Sequence, residues 1–161
     1  MDTFLAIASK RDVRDYSDAP IPHDVRTRIL DAGRLAGSSR NTQKWEFVVV
    51  SGAAQKRLAD AVYAPENVRR ATLVVAIVGE AGAFDAGRCS QNMMLAAWAK
   101  GVGSCPNGIR DPEAAVEICG GDVRAIISFG YPAKSRRERS AEEWSAGANR
   151  KPLAELVREV S

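Results

Sequence analysis

A continuous apolar run near the middle of the chain constrains the possible folds more than any other stretch. Residues 71–79 read A-T-L-V-V-A-I-V-G, and their β-branched side chains favour a strand. Because the run does not alternate between polar and apolar residues, both faces of this strand are expected to be covered. Apolar runs at residues 46–50 and 124–130 predict two further strands. Helical patterns separate these strands, so the sequence predicts a sheet packed against helices, of the α/β or α+β class.

Helical spacing of apolar residues predicts five helices. They comprise a first helix ending near Ser9 and helices over residues 24–36, 53–63, 84–100 and 112–119, the last capped by Asp111 with Pro112 at its first position. Three segments are expected to be irregular, namely a short link containing Pro65, a loop at residues 105–110, and residues 133–149, whose composition predicts a mobile loop. Residues 150–161 are expected to form a C-terminal element, helical or extended.

The length and composition favour one intracellular domain. At 161 residues the chain can bury one core but not two large ones, so a single domain over residues 1–161 is expected. The three cysteines have no CxxC spacing and His23 is the single histidine, so no metal site and a reducing compartment are expected. Asp2 stands where a signal peptide would be basic, and no run approaches about 20 apolar residues. We therefore expect a cytoplasmic protein with no membrane partner.

A polar loop, residues 37–45 (G-S-S-R-N-T-Q-K-W), lies directly before the strand at 46–50. Serine, asparagine and glutamine offer donors and acceptors without a fixed charge, which suits the edge of a planar polar heterocycle better than a metal or a bare phosphate. An ordinary loop between a helix and a strand has the same composition. The polar loop alone therefore does not decide between these two readings.

The usual catalytic constellations are missing from the sequence. His23 has no GxSxG or cysteine partner motif, and Gly101-Val102-Gly103 lacks the third glycine of a dinucleotide fingerprint and follows a helix. Any catalysis is therefore expected to belong to an organic cofactor. Basic residues cluster at 10–14, 69–70, 134–139 and 150–151, although the net charge is only +3. Such clusters can contact nucleic acid, neutralise a phosphorylated cofactor, or simply be solvated.

Five motifs occur in a characteristic order along the chain. They are K-R-D-V-R-D-Y at residues 10–16, A-G-S-S-R-N-T-Q-K-W at 36–45, Q-N-M-M-L-A-A-W-A-K-G-V-G-S-C at 91–105, P-N-G at 106–108 and G-Y-P at 130–132. In this order they resemble the FMN-dependent nitroreductase family, whose motifs include R-R-S-x-R-x-F, A-P-S-x-x-N-x-Q-P-W and Q-N-x-x-L-A-A-x-x-x-G-L-G-S. The resemblance covers nearly the whole chain.

The resemblance implies an α+β fold with a central, mainly antiparallel sheet flanked by helices. It implies an intertwined homodimer with FMN bound at the dimer interface. The expected activity is a ping-pong reductase that takes hydride from NADH or NADPH and reduces a nitroaromatic, quinone or related small-molecule acceptor. A flavin carrier with little turnover, and a flavin-fragmenting or dehalogenating relative, are the alternatives.

The resemblance also assigns roles to particular residues. Lys10, Arg11, Arg14 and Arg150 would supply positive charge to the FMN phosphate, and Arg14 would also lie near the flavin N1/O2 edge. The remaining cofactor-binding candidates are Asp12, the polar-loop residues Ser38, Ser39, Asn41 and Gln43, and Pro106, Asn107 and Gly108, with the Gly108 N–H near flavin N5.

Two positions depart from the family pattern. Asp12 replaces a serine expected at the phosphate, which is unfavourable unless Arg11 or Arg14 pairs with the carboxylate. Lys44 replaces a proline and is expected to make the polar loop less rigid.

A nucleic-acid module using residues 134–139 is the remaining alternative. Its basic run is short, is interrupted by Glu138 and has no aromatic residue until Trp144. Nucleic acid is therefore not expected as a partner.

Overall fold

The structure, a computed structural model, describes residues 2–134 and 139–160. Its contacts divide the chain into two compact units, Arg11–Ser135 and the combination of Met1–Lys10 with Arg136–Ser161. The larger unit contains all four strands.

A four-stranded antiparallel sheet forms the centre of the larger unit. Its strands are β1 (Glu46–Val50), β2 (Leu73–Val78), β3 (Gly103–Asn107) and β4 (Val123–Gly130), in the order β1-β2-β4-β3. All six residues of β2 are buried, which confirms the prediction of a strand covered on both faces. The helices of this unit are α2 (His23–Arg34), α3 (Gly52–Asp60), α4 (Pro65–Arg69), α5 (Ala83–Trp98) and α6 (Pro112–Cys119).

The alternation of side chains along β2 and β4 separates two apolar cores. Val74, Ala76 and Ile126 face one core, which also contains apolar residues of α3, α4 and α6. Residues from the opposite face, among them Val75 and Ile127, pack with apolar residues of α2 and α5. The α+β fold with an antiparallel sheet flanked by helices is therefore confirmed.

Two segments of this unit differ from the sequence-based expectation. Residues 105–110 were expected to be a loop because Pro106 and Gly108 disfavour strands, yet residues up to Asn107 belong to β3. Because β3 is an edge strand, Pro106 costs no hydrogen bond in the interior of the sheet. The expected link around Pro65 is the short helix α4, in which the proline occupies a first-turn position that needs no N–H donor. The Asp111 cap of α6 is confirmed, since its carboxylate accepts the Ala114 N–H at 3.0 Å.

The described residues of the smaller unit form three helices, α1 (Thr3–Ser9), α7 (Ala141–Ala146) and α8 (Leu153–Leu156). The Asp2 carboxylate caps α1, and Ser140 with Glu143 forms a capping box at the start of α7. Helix α7 lies inside the segment expected to be a loop, because the capping box stabilises a helix that charge and small residues alone did not indicate. Residues 135–138 of that segment lie outside the described residues.

Among the described residues, the helices fall short of the length and apolar character that a membrane crossing requires.

Candidate functional site

The basic segment, residues 11–16, runs alongside strand β3. The Val13 N–H donates to the Ser104 carbonyl at 2.9 Å, and Tyr16 forms a second bridge with Pro132. Val13 and Tyr16 are buried, whereas Asp12 and Arg14 are exposed. The sheet therefore holds the apolar residues of the segment and leaves its charged side chains towards solvent.

Two paired glycines make room for the basic segment. Gly103 and Gly130 lie opposite each other in the β3–β4 register. A Cβ atom on Gly103 would lie 2.5 Å from Val13 Cγ2, and one on Gly130 would lie 2.8 Å from Tyr16 Cγ. Both distances are shorter than carbon atoms tolerate, so the segment can pack this closely only against glycine.

The charges of the basic segment are partly neutralised within the segment and by α4. The Arg14 guanidinium and the Asp12 carboxylate are 3.9 Å apart, with 66% and 38% of their side-chain surfaces exposed. Arg70, the C-cap residue of α4, binds the Asp15 carboxylate at 2.9 Å and donates to the Tyr16 carbonyl at 3.4 Å. Arg14 thus offsets the Asp12 charge, and its exposure leaves it able to contact an anion.

The segment after β3 presents backbone rather than side chains. Pro106 and Gly108 are exposed, whereas the Asn107 side chain is buried and its Nδ2 donates to the Cys105 carbonyl at 3.0 Å. The Gly108 carbonyl accepts the Tyr63 N–H at 3.0 Å. Within residues 2–134, the backbone bonds outside regular helices and strands include none from the Gly108 N–H. That N–H is therefore a donor available to a ligand.

The polar loop is shaped by its own side chains. The Ser38 hydroxyl accepts the Gln43 N–H at 2.9 Å, and Gln43 Nε2 donates to Asn41 Oδ1 at 3.1 Å. Arg40, Asn41 and Gln43 all have positive φ angles, of 52°, 56° and 48°. Asparagine tolerates this conformation, whereas arginine and glutamine adopt it with strain that the surrounding bonds must offset.

Lys44 forms an ion pair with a residue just past the end of β2. Its ammonium lies 2.8 Å from the Glu80 carboxylate. This hydrogen bond raises the pKa of Lys44 and lowers the pKa of Glu80. A Cβ on Gly79 would lie 2.9 Å from the Lys44 carbonyl, so the two chain segments are in close contact. The polar loop therefore contacts the residues after β2 at the position where the family motif has proline.

The structure brings together some of the predicted site residues and separates others. The basic segment and the Pro106–Gly108 turn both lie along β3. The polar loop leads into β1, at the opposite edge of the sheet and three strand spacings away, about 14 Å. Lys10 and Arg150 belong to the smaller unit, where the Lys10 N–H bonds the Ala6 carbonyl and Arg150 donates to the Ala148 carbonyl at 3.1 Å.

The described residues contain no group of three or more histidine, cysteine or acidic side chains that could hold a metal ion. In the smaller unit, the Arg139 guanidinium lies 5.1 Å from the centre of the Trp144 ring. Most of the basic run considered for nucleic-acid binding, residues 135–138, lies outside the described residues.

The sequence model of the nitroreductase family matches residues 7–81 and 79–131, which is more than half of the chain. The chain belongs to the nitroreductase family. The family resemblance drawn from the five motifs is thereby confirmed.

Individual relatives agree with this assignment. A Methanothermobacter thermautotrophicus protein provisionally named NADH dehydrogenase/NAD(P)H nitroreductase is 26% identical over 156 residues, covering 84% of this chain and 80% of the relative. A protein from Desulfovibrio desulfuricans, provisionally named a nitroreductase, has a crystal structure in complex with FMN. It matches this chain with a TM-score of 0.81 at 26% identity, and the match covers 100% of this chain and 98% of the Desulfovibrio desulfuricans chain. A nitroreductase family protein from Clostridium difficile has a TM-score of 0.85 at 21% identity, covers 100% and 99% of the two chains, and bears on the fold alone.

In this nitroreductase-family chain, sequence reasoning passed over two residues next to the Pro106–Gly108 turn. Asn67 on α4 is buried, and its Nδ2 contacts the Cys105 sulfur at 3.8 Å. Tyr63 is 72% exposed, and its ring edge would lie 3.1 Å from a Cβ on Gly108. Neither residue is part of a periodic apolar pattern or a charge cluster in the sequence. Only the fold therefore shows that the neutral amide of Asn67 and the exposed ring of Tyr63 flank the turn.

Proposed function

We propose that this protein is an FMN-dependent oxidoreductase that uses NADH or NADPH to reduce a nitroaromatic, quinone or related small-molecule acceptor in a ping-pong cycle. The observation that carries the proposal is the placement of two complementary groups along one strand. The exposed cation of Arg14 lies in the segment beside β3, and the available Gly108 N–H lies just past the end of β3. The FMN complex of the Desulfovibrio desulfuricans relative and the name of the archaeal relative support this reading.

The chemistry of the donor set fits a phosphorylated flavin. Arginine offers a planar fork that matches phosphate oxygens, and Arg11 and Arg14 stand on either side of Asp12 in the basic segment. Ser39 and Asn41 are exposed on the polar loop and carry uncharged groups suited to hydroxyls or a ring edge. For Asn107, the backbone is the proposed contact, because its side chain is engaged inside the sheet.

When bound, FMN would supply the redox chemistry, accepting hydride at N5 and returning reducing equivalents to the acceptor. The role of the chain is to bind and orient. The Gly108 N–H would donate towards N5, where the missing side chain permits close approach. The Arg14 guanidinium would balance negative charge at the N1/O2 edge. No side chain is required as an obligatory proton donor, since solvent can supply that proton.

A homodimer is part of the proposal, because one copy of the sheet separates the proposed contacts. The polar loop leads into β1 and the Gly108 turn follows β3, and these two edge strands are about 14 Å apart, so two copies together can place one turn against the partner's loop. Exposed apolar side chains give such a dimer surface to bury. Those on helices or the C-terminal segment are Phe4, Ile7, Phe84, Val116, Leu153, Leu156, Val157 and Val160.

We further propose that residues 1–161 act as one flavin-binding domain and that the protein works in the cytoplasm. The second statement rests on Cys89, Cys105 and Cys119, which are buried free thiols of the kind that a reducing compartment preserves.

The visible spectrum of the purified protein tests the core of this proposal. Yellow protein that releases FMN on denaturation is the expected result, and colourless protein that cannot be reconstituted with FMN would refute it. Anaerobic NADH or NADPH should then bleach the bound flavin, and a nitro compound or quinone should restore the colour. A flavin that stays oxidised would point instead to a carrier, and product analysis would reveal flavin fragmentation or dehalogenation.

A further inference from the structure

A buried polar cluster connects the basic segment to the turn that follows β3. The Tyr16 hydroxyl lies 3.0 Å from the Ser128 hydroxyl and 3.2 Å from the Ser128 carbonyl. Asn107 Nδ2 donates to the same Ser128 hydroxyl at 3.2 Å. Tyr16 and Ser128 are 1% and 0% exposed, and Asn107 is 8% exposed. Because water does not compete at this depth, these hydrogen bonds define geometry more strongly than surface bonds do.

The Tyr16 hydroxyl is held as a hydrogen-bond donor. The Ser128 carbonyl can only accept, so a hydrogen bond to it at 3.2 Å requires the proton to be on tyrosine. Burial raises the pKa of Tyr16 far above its ordinary value, so the hydroxyl stays protonated throughout the usual pH range. Deprotonation of Tyr16 therefore does not break its contact with strand β4 in this pH range.

The other end of the cluster fixes the turn. Besides Ser128, Asn107 Nδ2 reaches the Cys105 carbonyl at 3.0 Å and the Ile126 carbonyl at 3.4 Å. These bonds lock the side chain between β3 and β4. Asn107 directly precedes Gly108, so its orientation sets where the Gly108 N–H points.

The family motif quoted for the basic segment ends in phenylalanine, and here Tyr16 stands in its place. Phenylalanine would fill the same space against Gly130 without the hydroxyl, so packing alone does not call for tyrosine.

We infer that Tyr16, acting through Ser128 and Asn107, is a positioning residue that fixes the basic segment relative to the Gly108 turn, so that both ends of one phosphorylated flavin are bound together. The inference rests on the proposed function. It requires that the phosphate contribution to flavin affinity depend on the Tyr16 hydroxyl, because the hydroxyl aligns the segment that carries Arg14.

Tyr16→Phe tests the inference with two flavins, FMN and riboflavin, which lacks the phosphate. The ratio of the riboflavin to the FMN dissociation constant, measured by titration of flavin fluorescence, reports the phosphate contribution. We expect this ratio to fall about fivefold in Tyr16→Phe, the effect of about one hydrogen bond. A residue that only supports folding would weaken both flavins equally and leave the ratio unchanged.

Matched variants sharpen the test. Ser128→Ala removes the partner hydroxyl and should lower the ratio by a similar factor, and the double variant should lower it no further. Tyr131→Phe removes a hydroxyl for which the described residues show no hydrogen bond, and its ratio should equal that of the wild type. An unchanged ratio in both Tyr16→Phe and Ser128→Ala, with normal wild-type FMN binding, would overturn this inference alone. Wild-type protein that binds neither flavin would overturn the proposed function and the inference with it.

Discussion

Gly130→Ala should push the basic segment away from the sheet. The added Cβ would lie 2.8 Å from Cγ and Cδ1 of Tyr16 and 2.9 Å from its Cβ, whereas carbon atoms in contact are normally 3.5–4.0 Å apart. The Tyr16 Cβ does not move when the side chain rotates, so rotation cannot relieve the whole clash. Relief requires the backbone at Tyr16 to move, although the Ser17 N–H holds it to the Tyr131 carbonyl at 2.8 Å.

The expected cost combines two opposing terms. Overpacking a buried contact lowers the free energy of unfolding by about 1–3 kcal/mol, whereas replacing a strand glycine with alanine raises it by about 0.5–1 kcal/mol. We therefore expect the free energy of unfolding to fall by about 1–2 kcal/mol, which for a chain of this size corresponds to a decrease in Tm of about 2–8 °C.

Urea denaturation followed by circular dichroism measures this change, and Gly121→Ala provides the control. Gly121 precedes the same strand, and a Cβ there would lie 3.7 Å from Val78, an ordinary contact. The control should be unchanged or more stable by up to about 1 kcal/mol. If Gly130→Ala were as stable as Gly121→Ala, the close packing of Tyr16 on Gly130 would be refuted.

Three further predictions follow from the site and the cores. Arg14→Ala should weaken FMN binding roughly tenfold and riboflavin binding little, because one charge-assisted phosphate contact is lost. Fluorescence titration measures both affinities, and an FMN affinity equal to that of the wild type would show that Arg14 is not part of the site. The ion pair of Lys44 and Glu80 should stabilise the fold fully at pH values above 4.5, the ordinary pKa of the carboxyl group. This stabilisation should be lost as the pH falls through the lowered pKa of Glu80. A Lys44→Met comparison across pH checks this, and a difference from the wild type that persists in strong acid would contradict it. Burial raises the pKa of the Cys89 and Cys119 thiols, so these thiols should react with a thiol reagent at neutral pH only after the protein is unfolded by denaturant. Rapid labelling without denaturant would contradict this prediction.

The sequence predicts the parts of the fold that depend on local patterns. The apolar run that became β2 and the Asp111 cap of α6 are examples, because burial on both faces and a capping carboxylate each leave a direct trace in the residue order. Strand β3 could not be predicted in this way. Its Gly103 and Pro106 disfavour strands locally, and only its place at the edge of the sheet makes them acceptable.

For the candidate site as well, the sequence predicts some features and misses others. Motif resemblance predicts the basic residues and the glycine turn as site residues, since their residue types carry the expected chemistry. It could not show that Asn107 turns its side chain inwards, that Tyr16 donates to strand β4, or that Asn67 lies beside Cys105. Each of these depends on contacts between segments far apart in the chain, which no local pattern records.

The two edges of the sheet differ in how open they are to another molecule. The outer side of β3 already bonds the basic segment through Val13 and carries Pro106, which has no N–H to offer. Strand β1, with the sequence E-F-V-V-V, pairs with β2 alone among the described residues, so its other side retains unpaired backbone groups. Strand addition between partly folded chains is therefore expected at β1 rather than at β3, and a charged or proline substitution in β1 should suppress it.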